Sequence, residues 1–321
     1  MSTGRRSKRS EALVLDPEVL RAGAVCELHS SLAVEANGGI AIQPWRDRFL
    51  ADEKAGLTVR ASAREVASES FGQVVVHLQK SRAATADDLA EAWRILAPDG
   101  ELLFAGPNTL GISSAVKRLG EQLGQAGVVV ANRARARVVR FRKQDGDGRG
   151  PEREPTEPIR IERSDLGVEP FELETLPGVF SAKRLDPGSE LLLEGFVRRA
   201  REKTPRRVVD LGCGTGVLGL FAALCLPEAE ILLVDADARA VECARRNALR
   251  LGVEGRCRVL WWDAREKPPE TGFDFALVNP PFHHRGPEVD LGPALALFDY
   301  LAGWLTRSGR ALVVANRTLP W

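Results

Sequence analysis

The sequence predicts an α/β protein with two tandem Rossmann-like domains. Its 321 residues suggest two domains at about 150 residues each. A regular alternation of strand and helix patterns follows residue 207, and a weaker alternation covers residues 11–141. Because strands that alternate with helices favour a parallel sheet, we expect a basic tail at 1–10, a first domain at 11–142, a linker at 143–157 and a second domain at 158–321. The linker assignment depends on its Gly-, Pro- and charge-rich composition.

Composition limits the partners that the chain can have. Hydrophobic residues make up 44% of the sequence and charged residues 28%, as in soluble domains with buried cores. Lys and Arg number 45 against 44 Asp and Glu, so nucleic-acid binding must come from local patches. A basic run in the first ten residues is either a disordered tail or an RNA-contacting one.

The cysteines and the targeting signals point to the cytoplasm. Five cysteines show no C-x-x-C pair, which predicts thiols in a reducing compartment and no zinc site. No apolar stretch reaches the roughly 20 residues of a membrane span, and no apolar region follows the basic start to make a signal peptide. We expect a cytoplasmic monomer without membrane or metal partners.

The first domain has short elements with weak boundaries. Thr85 is expected to cap a helix at 84–97, with Asp87 and Asp88 near its positive amino end. Further expected elements are strands at 74–78 and 101–105, a turn at 98–100, a helix at 112–124 and a strand from 128. No D-x-G-x-G occurs in this half, so we expect it to lack a comparable ligand loop.

A basic segment near the end of the first domain is a candidate RNA contact. The alternation Arg133-Ala-Arg-Ala-Arg137 would place the guanidinium groups of Arg133, Arg135 and Arg137 on one face of a strand. Such a row suits a phosphate backbone. A solvated edge strand that uses charge to prevent aggregation is the alternative.

The second domain is organised around a glycine-rich turn. Residues 207–216 end in Asp210-Leu-Gly-Cys-Gly-Thr-Gly216 and precede an apolar helix, a ligand-binding unit at the carboxyl end of a strand. A dinucleotide loop would need its third glycine at Val217. The acid two residues before Gly212 would repel a phosphate and attract a cation, which favours S-adenosylmethionine, with Gly214 and Gly216 completing the turn.

Two further acids end the next two strands. Asp235 ends a strand at 230–235 and can accept hydrogen bonds from ribose hydroxyls. Asp263 ends a strand at 257–263 and can meet an adenine amino group or be a plain loop residue. Asp237 is the better helix cap, for a helix at 238–251. Acids at three consecutive strand ends are more specific than any one alone.

The motif Asn279-Pro-Pro-Phe282 follows the fourth strand, at 273–278. Prolines remove N–H donors, so the Asn279 side-chain oxygen and the Pro280 carbonyl can accept from one exocyclic amine. Phe282 offers a ring on which a flipped-out base can stack. In the first half Leu78-Gln-Lys-Ser81 follows the comparable strand. His283 is either a base contact or a plain loop histidine.

Earlier segments of the second domain are expected to support this site. An apolar loop at 171–181 precedes the glycine-rich strand and could cover the ligand. Asp186 and Pro187 predict the start of a helix. A helix at 291–305 and a fifth strand at 310–315 complete the alternation.

These residues resemble the ribosomal RNA guanine-N2 methyltransferase family of the RsmC/RlmG type. The matching stretches are Leu176–Ser181, Leu185–Ser189, Asp210–Gly216 and Asn279–His283, with Pro107–Ser114 similar to a segment of the family's first domain. The resemblance implies two class I methyltransferase domains, of which the first is degenerate and helps to hold RNA. It implies methylation of guanine N2 in rRNA, with 16S rRNA or the small ribosomal subunit as the substrate.

The resemblance also assigns roles to residues. It implies cofactor contacts for Asp210, Gly212, Gly214, Asp235 and Asp263. It implies that Asn279, Pro280 and Phe282 position the amine.

Two departures from the family pattern bear on these expectations. Gly286 stands three residues after His283, where the family usually has a spacing of two. The chain ends soon after the fifth strand, so we expect the family's usual C-terminal end to be missing and that sheet edge to be bare. A non-catalytic RNA-binding relative, and an amino-methyltransferase acting on adenine N6 or a glutamine amide, remain alternatives.

Overall fold

The computed structural model describes residues 10–144, 150–179, 185–280, 283–285, 288–290 and 292–315. The chain divides into two compact units, Met1–Pro155 and Thr156–Trp321. Each unit is an α/β fold with its own sheet and its own buried core.

The first unit contains a seven-stranded sheet in the order β3-β2-β1-β4-β5-β7-β6. Its strands are β1 (Val25–Leu28), β2 (Gly39–Ile42), β3 (Val59–Arg60), β4 (Phe71–His77), β5 (Leu96–Pro107), β6 (Val128–Arg133) and β7 (Ala136–Arg142). Its helices are α1 (Leu32–Asn37), α2 (Arg46–Lys54), α3 (Arg82–Ile95) and α4 (Ile112–Leu123). Strands β1 to β5 pair in parallel, and β7 pairs antiparallel with both β5 and β6.

The second unit contains a five-stranded, all-parallel sheet. Its strand order repeats the order of the five parallel strands β3-β2-β1-β4-β5 of the first unit. Its order is β12-β11-β10-β13-β16, with β10 (Arg207–Leu211), β11 (Glu230–Asp235), β12 (Cys257–Trp261), β13 (Phe273–Val278) and β16 (Leu305–Val313). Two small antiparallel pairs are β8 (Ile159–Ile161) with β9 (Phe171–Leu173) and β14 (His283–Arg285) with β15 (Glu288–Asp290). The helices are α5 (Pro187–Glu202), α6 (Val217–Cys225), α7 (Ala238–Arg250) and α8 (Gly292–Trp304).

Side chains of β11 alternate between two buried clusters. Ile231 and Leu233 pack with residues of α5, α6 and α7, whereas Leu232 and Val234 pack with Leu297 and other residues. Because successive side chains of a strand point to opposite faces, both faces of this sheet are covered. The predicted alternating α/β fold is therefore confirmed in both units.

The predicted start of α5 at Asp186 is correct, whereas the predicted cap of α3 at Thr85 is wrong. Asp186 caps α5, since its Oδ1 accepts from Gly188 N at 3.0 Å and from Ser189 N at 3.1 Å. Helix α3 begins earlier than expected, and its cap is Ser81, whose Oγ accepts from Ala84 N at 3.2 Å. Thr85 instead donates its hydroxyl to Ser81 O, because Ser81, four residues upstream, offers the same capping chemistry at the actual start of the helix.

The acids expected at the amino end of α3 lie outside its first turn. Asp88 contacts His29 Nε2 at 2.8 Å. Asp87 pairs with Arg153. Side-chain contacts with residues distant in sequence, rather than the helix dipole, therefore account for both carboxylates.

The segment expected to be a linker is partly fixed to the first unit. Arg153 pairs with Asp87 and Glu91, and the backbone at Gly150 approaches the ring of Trp93 so closely that a Cβ there would be 2.7 Å from Trp93 Cδ1. The Lys143 ammonium is buried and donates to the carbonyl of Leu96 at 2.8 Å. Because of these contacts, a shorter part of the segment can act as a linker than its composition predicts.

The basic segment forms a hairpin and not a single strand, so the expected row of three arginines on one face is wrong. Ala134 and Arg135 occupy the turn with φ of 55° and 62°, a two-residue connection that reverses the chain. Arg133 pairs across the hairpin with Ala136, and Asn132 with Arg137. Because directly opposed residues share a face, Arg133 and Arg137 lie on opposite faces.

Candidate active site

The glycine-rich loop joins β10 to α6 and crosses the end of β11. The backbone N–H groups of Gly212 and Cys213 both donate to Val234 O, at 2.8 and 2.9 Å. Gly212, Gly214 and Gly216 have φ of 78°, 55° and 88°, a region that disfavours side chains. The predicted strand, glycine loop and helix are therefore present in this order.

The three glycines differ in what surrounds them. A Cβ added at Gly212 or Gly214 would meet nothing within 4 Å, whereas one at Gly216 would lie 2.9 Å from Leu220 and 3.1 Å from Leu233. Gly212 and Gly214 thus line open space where a ligand can lie against the backbone. Gly216 allows α6 to pack closely on the sheet.

Asp210 lies on β10 beneath this loop. Its side chain is fully buried, and Oδ2 accepts from Gly219 N at 2.9 Å. Burial raises the pKa of Asp210 to about 7, against the hydrogen bond from Gly219, and the nearby Asp235 raises it further. Its second oxygen, Oδ1, is buried without a hydrogen-bond partner among the described residues.

Asp235 ties the end of β11 to the loop. Its Oδ2 accepts from Gly214 N and its Oδ1 from Asp237 N, both at 2.9 Å. Burial raises the pKa of Asp235 to about 6, opposed by those two backbone hydrogen bonds. Asp237 caps α7 as predicted, since its Oδ1 accepts from Arg239 N at 3.0 Å.

Asp263 is engaged within its own loop. The carboxylate is buried and accepts from Arg265 N and from Arg265 Nε, at 2.9 and 2.8 Å. The Arg265 guanidinium also pairs with the other oxygen. An adenine amino group would have to share these oxygens with Arg265 or displace it.

Asn279 follows β13 and reaches across to the start of α5. Its Nδ2 donates to Asp186 Oδ1 and Oδ2 at 3.2 and 3.3 Å, and to Ser189 Oγ at 3.1 Å. Pro280 is buried next to it. Pro281 and Phe282 lie outside the described residues, and His283 begins β14, where only its backbone is described.

Sequence reasoning missed Asn247 on α7. It is fully buried; its Nδ2 donates to Thr215 O at 2.9 Å and to Glu174 O at 3.0 Å, and its Oδ1 accepts from Glu174 N at 2.7 Å. Asn247 therefore connects the glycine loop with the segment after β9. Its position on a helix of ordinary amphipathic pattern gave no signal for this role.

The loop expected to cover the ligand is anchored over its described part. Residues Phe171–Leu173 form β9. Val179 is buried in a cluster with Ala240 and Cys243, against which Leu176 packs. Phe180 and Ser181 lie outside the described residues.

The first unit carries an acid–histidine pair at the positions that correspond to this site. Pairing of β1 with β4 places Glu27 opposite Val75, as pairing of β10 with β13 places Asp210 opposite Leu277. By the same register the residue that corresponds to Asn279 is His77, the last residue of β4. The sequence had suggested Leu78 for this position. His77 Nε2 contacts Glu27 Oε1 at 2.8 Å, and Ala33 N donates to Glu27 Oε2 at 2.7 Å.

The corresponding position of the first unit is thus filled by its own side chains. Both Glu27 and His77 are buried, and only residues 29–31 separate β1 from α1. The first unit lacks the glycine loop that opens the second.

The chemistry of the second unit fits S-adenosylmethionine. Open backbone at Gly212 and Gly214 offers a cradle that a Cβ would fill, and carboxylates at two adjacent strand ends suit a ligand with hydroxyl and cationic groups. Among the described residues, no group of three or more His, Cys, Asp or Glu side chains could hold a metal ion. None of the described helices combines the length and apolar character needed for a bilayer crossing. All five cysteines are free thiols.

Comparison with known proteins places the second unit in a family. Residues 170–321 match the family model described as the methyltransferase small domain. A ribosomal RNA small subunit methyltransferase C from Hamiltonella defensa is 30% identical over 248 residues, which are 77% of this chain and 68% of that protein. The protein of the same name from Stutzerimonas stutzeri is 33% identical over 257 residues, covering 78% and 71%.

A solved structure extends the similarity to both units. The T. thermophilus 16S rRNA N2 methyltransferase RsmC, determined in complex with AdoMet and guanosine, aligns with a TM-score of 0.81 and 27% identity. The alignment covers 94% of this chain and 82% of that one. The expected class of fold, two tandem methyltransferase domains, is confirmed by this match.

Proposed function

This chain belongs to the ribosomal RNA small subunit methyltransferase C family, and on that basis we propose that it methylates the exocyclic N2 of a guanine in 16S rRNA, using S-adenosylmethionine. The observation that carries the proposal is the position of Asn279. Its amide is held at the carboxyl end of β13, and β13 lies directly beside the strand that leads into the open glycine loop.

The amide geometry suits an amine substrate. A carboxylate can only accept hydrogen bonds, so Asp186 requires the NH₂ side of Asn279 to face it. The opposite side of the carboxamide then presents Oδ1, which accepts from an N–H. Together with the Pro280 carbonyl, Oδ1 would fix the substrate amine with its lone pair directed at the methyl donor. Such placement of reacting groups accounts for a large part of many enzymatic rate enhancements.

S-adenosylmethionine supplies an electrophilic methyl group on a sulfonium. In the transfer the amine nitrogen would form the new N–C bond as the C–S bond breaks, S-adenosylhomocysteine would leave, and the nitrogen would lose one proton to solvent. The chain's residues have to orient the amine and exclude water.

We assign the cofactor site to Asp210, Gly212, Gly214, Gly216, Asp235, Asp263 and Asn279, some through direct contact and others by shaping the loop. The open space at Gly212 and Gly214 supports this assignment. The complete burial of Asp210 favours a role through the loop that it braces. Asp235, half-buried at the loop, is better placed to meet ribose hydroxyls.

We assign substrate contacts to Phe282, His283, Arg133, Arg135 and Arg137. The exposure of Arg133 and Arg135 at the hairpin turn supports RNA contact there, although Arg133 also pairs with Asp16. We further propose that the predicted first domain, residues 11–142, holds RNA, and that the protein acts as a cytoplasmic monomer. The Glu27–His77 pair supports a division of labour in which the first unit has no cofactor.

The function can be tested with purified small ribosomal subunits and with naked 16S rRNA, each incubated with radiolabelled S-adenosylmethionine. We expect label in N2-methylguanosine after nucleoside digestion. Label in N6-methyladenosine would instead show an adenine methyltransferase, and binding of RNA without cofactor binding in calorimetry would show a non-catalytic relative. Comparison of the two RNA forms identifies the substrate state.

A further inference from the structure

We propose that Asp186, assisted by Ser189, is a positioning residue that fixes the orientation of the Asn279 carboxamide. This inference rests on the proposed role of Asn279 in holding the amine. Asp186 lies 93 residues before Asn279 and belongs to another element, the cap of α5.

The hydrogen bonds around Asp186 allow only one orientation of the Asn279 carboxamide. Oδ1 accepts from the backbone N–H groups of Gly188 and Ser189, while Oδ2 accepts from the Ser189 hydroxyl at 2.6 Å. The single hydroxyl proton of Ser189 is therefore used on Asp186, and Ser189 Oγ can only accept from Asn279. Both neighbours of the Asn279 amide nitrogen are acceptors.

An Asn side chain whose two ends were reversed would place an oxygen against three acceptor oxygens. That arrangement loses the hydrogen bonds and adds repulsion, so the carboxamide is held with Oδ1 directed away from α5. Among the described residues no hydrogen bond uses Asn279 Oδ1, which is therefore available to a substrate amine. Ser189 is almost fully buried, so water competes little at this end of the amide.

The substitution Asp186→Asn tests the idea because it should keep the helix cap and reverse the amide. Asn is as good an N-cap as Asp, so its oxygen continues to accept from Gly188 N and Ser189 N. Its new NH₂ group then faces Asn279, and Asn279 turns its oxygen towards that donor. A donor NH₂ would face the substrate amine, and we expect kcat to fall about 100-fold, comparable with loss of one oriented catalytic hydrogen-bonding group.

The matched control is Asp274→Asn. Asp274 Oδ2 also accepts from two consecutive backbone N–H groups, those of Arg206 and Arg207, at 2.9 and 3.1 Å. It lies at the other end of β13 from Asn279. We expect this variant to keep kcat within about twofold, and both variants to keep their S-adenosylmethionine affinity within a similar factor.

A double variant supplies the rescue that a structural role would not show. In Asp186→Asn combined with Asn279→Asp, the new NH₂ at 186 donates to one carboxylate oxygen and the other faces the substrate amine. We expect at least about tenfold recovery of kcat relative to Asp186→Asn, consistent with coupling between contacting residues.

The orientation can also be read without turnover. The side-chain NH₂ resonances of Asn279, identified by their loss in Asn279→Ala, should shift in Asp186→Asn and not in Asp274→Asn. If the resonances shift but the wild-type chain methylates no guanine, the positioning stands and the proposed function fails. Unchanged resonances, an undiminished kcat in Asp186→Asn, or an equal loss of cofactor affinity would overturn the positioning role.

Discussion

Asp210 shows how burial changes the chemistry of a carboxyl group. Its folded-state pKa of about 7 lies above the ordinary value of 3.8, so between these pH values the folded chain retains a proton that the unfolded chain has released. Linkage then requires that the contribution of Asp210 to folding stability decreases as pH rises through this interval.

The substitution Asp210→Asn should reduce this pH dependence. Asn has nearly the same shape as Asp and does not titrate. The free energy of unfolding of the Asp210→Asn variant should therefore fall less between pH 5 and pH 7.5 than that of the wild type. Urea denaturation of both proteins at the two pH values measures the difference. Equal slopes would mean that Asp210 ionises normally. Asp235, with a pKa raised to about 6, acts in the same direction in both proteins.

Asn279 provides the second test at the residue scale. Replacement by Ala removes the oxygen that we assign to the substrate amine and leaves the glycine loop untouched. We expect kcat to fall about 100-fold and S-adenosylmethionine affinity, measured by calorimetry, to fall no more than about twofold, because the other six residues of the assigned cofactor site remain. A parallel loss of both would show that Asn279 contributes mainly to cofactor binding.

At the scale of elements, the glycine loop separates ligand access from packing. Gly214→Ala and Gly216→Ala both place a side chain at positive φ, which costs about 1–2 kcal/mol. Only Gly216→Ala adds contacts of 2.9–3.3 Å with Leu220, Leu233 and Ala244, an overpacking that costs about 1–3 kcal/mol more.

We therefore expect Gly216→Ala to affect mainly folding stability and Gly214→Ala to affect mainly cofactor affinity. Gly216→Ala should lower the free energy of unfolding more than Gly214→Ala does, and Gly214→Ala should weaken S-adenosylmethionine binding at a modest cost in stability. Urea denaturation and cofactor titration distinguish the two effects. Equal stabilities would show that the packing at Gly216 relaxes without cost.

The side-chain amide of Asn247 links α7 to the glycine loop and to the segment after β9. Asn247→Asp would put a carboxylate oxygen against the carbonyls of Glu174 and Thr215 in a fully buried position. We expect a loss of about 3 kcal/mol in unfolding free energy and faster hydrogen exchange after β9. Asn132→Asp, at an exposed position of β6, is the control. A loss no larger than that of the control would show that α7 and the loops are held by apolar contacts alone.

At the scale of the whole molecule, the two units share a strand order but not a site. Strands β1 to β5 of the first sheet follow the same order as the five strands of the second sheet. Each unit has its own buried clusters. The acid of β1 corresponds to the acid of β10. In the first unit it is paired with His77, whereas in the second Asp210 lies below an open loop.

Separate expression of residues 1–155 and 156–321 tests this difference. Because each fragment retains its own core, we expect both to fold cooperatively, as judged by thermal denaturation. Only the second should bind S-adenosylmethionine in calorimetry. Cofactor binding by the first fragment would contradict the interpretation of the Glu27–His77 pair.

Much of the second unit could be predicted from local sequence. Strand β11 at Glu230–Asp235, the cap Asp237, the start of α5 at Asp186 and the glycine loop all follow from signals within a few residues of one another. Such signals arise because backbone geometry and helix capping are local. The first unit gave weaker signals, and the exchange of Ser81 for Thr85 shows that two adequate caps cannot be ranked without their partners.

By itself, the sequence determined the alternating α/β fold, the order of the loop and the strand-end acids, and the identity of the amide that follows β13. Only the tertiary structure decided which way that amide faces, because its orientation is set by Asp186, 93 residues away. It also decided that Arg133 and Arg137 lie on opposite faces, since positive φ at Ala134 and Arg135 reverses the chain. Contacts between residues distant in sequence leave no local pattern, so they appear only when the chain is folded.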